Sequence, residues 1–227
     1  MSDALRLEQI EYPFKKNWIV SYPWVNRPSP GPNRGRIIHI ADVGGDGGSL
    51  WTATLAGWVP MNGRMALASN WGTLNSPISS ITGVKSGVFA INGGGGSLII
   101  PGGMLLPGRS RIQIEAFLLR LGTGGQNTWN IRLGSTGTVS DSAVYAIGSV
   151  PADNNRGTRA FVTVGFNDLT ATSATYLAPG SSATGNAYTD VPIPALGDPI
   201  TVSFLVASAN TADTFRLVGY SVDLLSS

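Results

Sequence analysis

The sequence contains no cysteine, which excludes disulfides, thiolate catalysis and thiolate metal sites and leaves the redox compartment open. Charge is scarce as well: 12% of the 227 residues are Asp, Glu, Lys or Arg, against about 25% in an average soluble domain. The basic excess is only +2, so nucleic acid is not an expected partner. No stretch approaches the roughly 20 apolar residues that span a bilayer, and no membrane insertion is expected. The opening MSDALRLEQIEYPFKKNW lacks the apolar core of a secretory signal, so a route of export other than that one is expected if the protein leaves the cell. Helix-period stretches of useful length, fixed-period repeats, collagen-like triplets and coiled-coil heptads are all missing.

Reactive groups are few. The single histidine, His39, sits inside the apolar run Ile37 to Ile40, and no Gly-x-Ser-x-Gly elbow accompanies it, so it reads as a packed or edge-strand imidazole. Asp46, Asp141, Asp153, Asp168 and Asp213 lie beside Gly, Asn, Ser or Thr, where Asx-turn geometry accounts for them. Glu115, between Arg111 and Arg120 in a strand, reads as a solvent-facing cross-strand partner for an arginine. Asp42 and Asp46 match no calcium-loop spacing, and the run Gly93 to Gly96 lacks the ending and the following helix of a phosphate loop. No catalytic residue, metal site or cofactor is expected, and the chain is read as a non-enzyme.

What is present is apolar residue, glycine and proline: 42% hydrophobic, with 30 Gly and 14 Pro. That composition suits many short strands joined by tight turns, and a surface largely covered by further copies of the same chain. Residues 1–36 read as an N-terminal arm in which Pro13, Pro23, Pro28, Pro30 and Pro32 gather; the prolines exclude a helix or central strand from Tyr22 to Asn33, while Asp3 to Ile10 is open to one or two helical turns. Trp18, Tyr22, Trp24 and Arg27 make this arm too apolar for a solvated tail, so it is expected to dock on a neighbouring subunit or a larger particle; folding back on its own domain is the alternative. Residues 37–83 read as a small β-meander of about four strands plus a connector. Its turns are Val43 to Gly48, Ala56-Gly57 and Asn62-Gly63, with Met65 to Leu67 as the last strand.

Residues 84–227 supply strand after strand. In Arg111 to Leu121, Ile112, Ile114, Ala116 and Leu118 share one parity against Arg111, Gln113, Glu115, Phe117 and Leu119. Thr128 to Leu133, Ala143 to Ile147, Arg159 to Phe166, Pro199 to Ala207 and Thr214 to Leu225 continue the series. The predicted class is all-β: an antiparallel jelly-roll-like β-sandwich preceded by a small β-hairpin module and an extended arm. Tyr rings in polar loops can stack on sugars while Asn and Asp reach hydroxyls. That chemistry makes Tyr145, Asn154, Asp168, Tyr176, Tyr188 and Asp190 the candidate glycan-binding residues.

The segment from Arg36 to Ala68, RIIHIADVGGDGGSLWTATLAGWVPMNGRMALA, resembles a linker module of tailed-bacteriophage tail-fibre and receptor-binding proteins. There a DVG-type turn, an aromatic return strand and a W-x-P-x-N-G-R motif, here Trp58, Pro60, Asn62, Gly63 and Arg64, recur before a trimeric β-domain. The resemblance implies a virion protein, assembled in the host cytoplasm, whose N-terminal part docks on tail or capsid proteins and whose homotrimeric sandwich binds a host surface glycan without cleaving it. A capsid decoration (cement) or baseplate structural protein is the alternative, with a glycan depolymerase behind it.

Overall fold

The computed structural model describes residues 19, 21–42, 48–82, 86–91, 97–122, 127–148, 158–166, 173–178, 187–209 and 211–226. Among them sixteen strands occur. The first eight are β1 (Ser21–Tyr22), β2 (Ile37–Ile40), β3 (Ser49–Ala53), β4 (Trp58–Pro60), β5 (Arg64–Trp71), β6 (Ser79–Thr82), β7 (Ser86–Val88) and β8 (Leu98–Ile100). The rest are β9 (Ser110–Leu121), β10 (Asn127–Gly134), β11 (Ser142–Gly148), β12 (Thr158–Phe166), β13 (Ser173–Ala178), β14 (Ala187–Pro192), β15 (Ile200–Ser208) and β16 (Thr214–Ser226). The chain divides into two compact units, Met1–Asn62 and Gly63–Ser227.

In the first unit β1 to β4 form one sheet in sequence order, with β1 parallel to β2 and the remaining pairs antiparallel. The proline-rich stretch folds back on this sheet. Trp24 is fully buried against Trp51, with ring centroids 4.9 Å apart, and its backbone N–H donates to Asp42 Oδ1 at 2.8 Å. Arg27 lies 3.7 Å over the Trp24 ring, and burial pulls its guanidinium below the ordinary range. Trp58 Nε1 donates to the Pro28 carbonyl at 2.8 Å. Prolines cannot join a ladder, so indole rings and side-chain hydrogen bonds fasten this segment instead. The arm residues Trp24 and Arg27, expected to reach a neighbour, are therefore taken up within their own unit.

The second unit is an antiparallel, jelly-roll-like β-sandwich. One sheet has the order β11-β10-β15-β7, with β8 also on β15; the other runs β14-β13-β12-β9-β16-β5, with β6 also on β16. The sheets face each other through a dry core: Trp129 on β10 stacks on Phe89 and meets Phe215 on β16 edge-on at 5.5 Å, and Phe204 on β15 lies 5.4 Å from Tyr220 on β16. Alternation in β9 puts Ile112, Ile114, Ala116 and Leu118 into that core, as their shared parity predicts.

The meander reading needs one correction. Met65 to Leu67 do not return onto the small sheet across an Asn62-Gly63 turn. They belong to β5, which pairs along β16 from Gly219 to Leu225. Pro60 cannot donate outward from β4, which makes β4 an edge and leaves β5 to find a long partner elsewhere. The first compact unit ends at Asn62.

Candidate functional site

The seven-stranded sheet turns one face to the core and the other to solvent, and the pairing registers arrange the solvent face in rows. The first row reads Trp71 on β5, Gly219 on β16, Phe117 on β9 and Arg159 on β12. The second is Ser69, Ser221, Glu115 and Phe161; the third holds Asp223, Gln113 and Thr163; the fourth holds Arg64, Leu225, Arg111, Gly165, Thr175 and Asp190.

Aromatic rings on a polar face are the feature to explain. Trp71 is 55% exposed, yet it touches Phe117 with centroids 5.2 Å apart and planes tilted by 56°. Their strands are separated by β16, so the backbones stand roughly 10 Å apart. The contact is possible because Gly219 lies between them without a side chain, and the indole occupies the space a β-carbon there would need. Beside them Arg159 Nε donates to Glu115 Oε1 at 2.5 Å, and the Arg159 guanidinium sits 5.3 Å from the Phe161 ring. Arg64 is paired with Asp223 at 2.9 Å. Glu115 thus has the cross-strand arginine its position predicts, supplied by β12 rather than by Arg111 or Arg120.

Such a face can do two things chemically. Its rings present flat apolar surface on which the C–H face of a sugar stacks, and Ser69, Ser221, Gln113 and Thr163 with the two ion pairs offer donors and acceptors around it. Both carboxylates nearest the rings, Glu115 and Asp223, are engaged by arginines.

The loop residues proposed from sequence are not gathered into this site. Tyr145 is buried at 8% exposure, paired opposite Ile131, where burial pushes its phenol up; it lines a small core void with Trp129 and Phe204 and cannot stack on a ligand. Its neighbours Val144 and Ala146 are apolar too, so no alternation in the sequence marks which way β11 turns this position. Asn154 and Asp168 lie outside the described residues, as does Trp18. Tyr176 pairs with Thr189 and Tyr188 with Leu177, one residue out of step, so the two positions have opposite parity in the β13–β14 hairpin. Asp190 is exposed on the solvent face and accepts a hydrogen bond from Thr175 Oγ1. Tyr22 lies on β1, half-buried opposite Ile40.

Two other groups have structural explanations. Asp141 borders an open cleft of about 640 Å³ with Ser135, Ser140, Pro192, Ile193 and Asp198, but no aromatic ring lines it. Burial raises the Asp141 carboxyl, and hydrogen bonds from the Thr136 hydroxyl and N–H, the Gly137 N–H and Thr201 more than offset this, leaving it below the ordinary aspartate range. It organises its own loop, as its turn position predicts. Asp213 has a role its turn position does not predict: it is fully buried and receives Arg120 Nε at 2.8 Å and Nη2 at 2.5 Å. Among the described residues no three His, Asp or Glu side chains converge as a metal site would require.

The signal for Phe117 and Phe161 was present in the alternation. Phe117 shares the parity of Arg111, Gln113 and Glu115, and Phe161 that of Arg159 and Thr163, so both rings sit in polar phase.

No protein-family model and no curated protein matches the chain. Among solved structures, a lectin from Bauhinia forficata in complex with GalNAc is similar at 11% identity and TM-score 0.32, over 71% of this chain and 88% of its own. Lectin I from Ulex europaeus in complex with the methyl glycoside of alpha-L-fucose is similar at 8% identity and TM-score 0.31, over 71% and 98%. The CBM2 module of the evolved Dit of Lactobacillus casei BL23 phage J-1 is similar at 7% identity and TM-score 0.31, over 57% and 68%. Similarity of this order carries no argument about what the chain binds.

Proposed function

We propose that this chain is a glycan-binding structural protein of a tailed-phage virion, a tail-fibre or receptor-binding subunit that holds a host surface polysaccharide on the solvent face of its seven-stranded sheet without cleaving it. One observation carries the reading: Trp71, Phe117 and Phe161 lie on a polar, solvent-facing sheet surface, with Trp71 bedded on Gly219. Holding a ring half in water offers little to folding and suits stacking on a sugar. The virion part of the proposal rests on the Arg36 to Ala68 segment. Docking through the first unit is supported by Val25 and Leu55, which are 79% and 77% exposed there. Three copies in one homotrimer would multiply weak single-site affinity, because tethered sites meet the polysaccharide at high effective concentration.

The test is titration of the recombinant full chain with isolated bacterial surface polysaccharides and with whole cells, followed by a reducing-sugar assay. Saturable binding with no sugar release is expected, and Trp71→Ala removes it. If the chain binds no polysaccharide or cell at high micromolar concentration, the capsid-cement or baseplate alternative replaces this reading. Release of sugar would make it a depolymerase instead.

A further inference from the structure

The fourth row of the solvent face ends in a second feature of different chemistry. Gly165 on β12 is paired with Arg111 on β9 and, on its other side, with Thr175 on β13. A β-carbon at 165 would approach nothing nearer than the Thr175 carbonyl at 3.8 Å, so glycine leaves open space here rather than filling a tight contact. The result is a hollow of about 180 Å³ lined by Gly108, Ser110, Arg111, Gly165, Phe166 and Thr175.

Among the described residues the charge around this hollow is unbalanced. Arg111 is exposed, and its cross-strand neighbours, Leu225 and Gly165, are neutral. The carboxylates near it among the described residues are already engaged: Asp223 by Arg64, Glu115 by Arg159, and Asp190, three strands and roughly 14 Å away, by the Thr175 hydroxyl. Among the described residues no acid pairs with Arg111. Arg109, also exposed, lies two residues earlier on the turn entering β9. Phe117 and Arg111 are six residues apart along β9, a distance of roughly 20 Å on the same face. A polysaccharide stacked on Trp71 and lying along β9 therefore crosses the hollow several rings later.

We propose that the Gly165 hollow is an anion subsite in which Arg111 takes the carboxylate of an acidic sugar, so that the glycan bound by this face is a uronate-type polysaccharide. This rests on the reading of the sheet face given above and adds its substrate class. The planar guanidinium fork matches a carboxylate with two parallel N–H donors, and the absent side chain at 165 gives the sugar room to bring that carboxylate down to the sheet.

The test uses the full chain and paired probes: polygalacturonate, alginate, hyaluronan and heparosan, each beside its carboxyl-reduced form, measured by calorimetry at two salt concentrations. At least one acidic polymer is expected to bind tenfold or more tightly than its reduced partner, with the difference shrinking in high salt. Arg111→Gln abolishes that difference and leaves the reduced polymer unaffected; Arg111→Lys keeps only part of it. Gly165→Val, which the open space lets fold, fills the hollow and also removes it. Equal affinity for acidic and reduced forms, or selectivity that survives both substitutions, overturns the subsite while binding lost in Trp71→Ala keeps the sheet-face reading. Absence of binding to every member of both series overturns the two together.

Discussion

The Trp71 indole lies across the backbone of Gly219, in the space where any other residue would place its β-carbon. Gly219→Val therefore expels the ring from its seat against Phe117. The expected outcome is a folded protein, because Trp71 is at an exposed edge, with a changed tryptophan emission spectrum and at least tenfold weaker polysaccharide binding. That loss corresponds to about 1.4 kcal/mol. Unchanged emission would show that the ring does not depend on the glycine.

Arg120 and Asp213 form an ion pair withdrawn from water, with side-chain exposures of 4% and 0%. Removing one partner strands the other charge, a cost of about 3–5 kcal/mol. Asp213→Ala is expected to lower the unfolding free energy of the second unit, read from denaturant titration, by that amount and to leave polysaccharide affinity unchanged in the fraction that folds. A loss of less than about 1 kcal/mol, the range of exposed pairs, would contradict the burial.

Asp141 gives a pH dependence of known sign. Its carboxyl is held below the ordinary value, so the stability it contributes is full above the unfolded-state pKa of about 3.9 and is lost as pH falls through the lower folded value. Acid unfolding monitored by near-ultraviolet circular dichroism is expected to begin below that ordinary range. Asp141→Asn, which cannot titrate, is expected to flatten this part of the profile; an unaltered profile would sink the assignment.

Trp24 closes the small unit over Trp51. Truncating a buried aromatic to alanine costs about 3–5 kcal/mol, so Trp24→Ala is expected to open residues 21–42 to protease at a concentration that leaves the parent chain intact. Equal resistance of the two proteins would mean that the segment is held by something other than its indole.

Scarce charge suggests self-association and the tail-fibre resemblance implies three copies, and light scattering at micromolar concentration checks the homotrimer. A mass three times that of the 23.6 kDa chain is expected. A stable monomer removes the oligomer from the proposal.

Several elements were legible because they depend on local rules. The alternation of Ile112, Ile114, Ala116 and Leu118 announced the inner face of β9, and the crowded prolines before Gly35 announced a segment that could not enter a sheet as a central strand. The site was legible only as an anomaly, two phenylalanines in polar phase. Tyr145 misled because the local pattern around it did not show which way β11 faces, and Asp213 misled because a turn residue and a buried counter-ion have the same sequence neighbourhood.

By itself, then, the order of residues determined that this chain makes strands, which side of a clearly alternating strand such as β9 is apolar, and that thiol chemistry is closed to it. Only the tertiary structure decided that β5 lies beside β16, which brings Trp71 over Gly219 to Phe117, and that β9 lies beside β12, which gives Glu115 its arginine and opens the Gly165 hollow. The reason is physical: side-chain parity repeats every two residues and is written locally, whereas strand neighbours and register are chosen by burying whole faces across long separations in the chain.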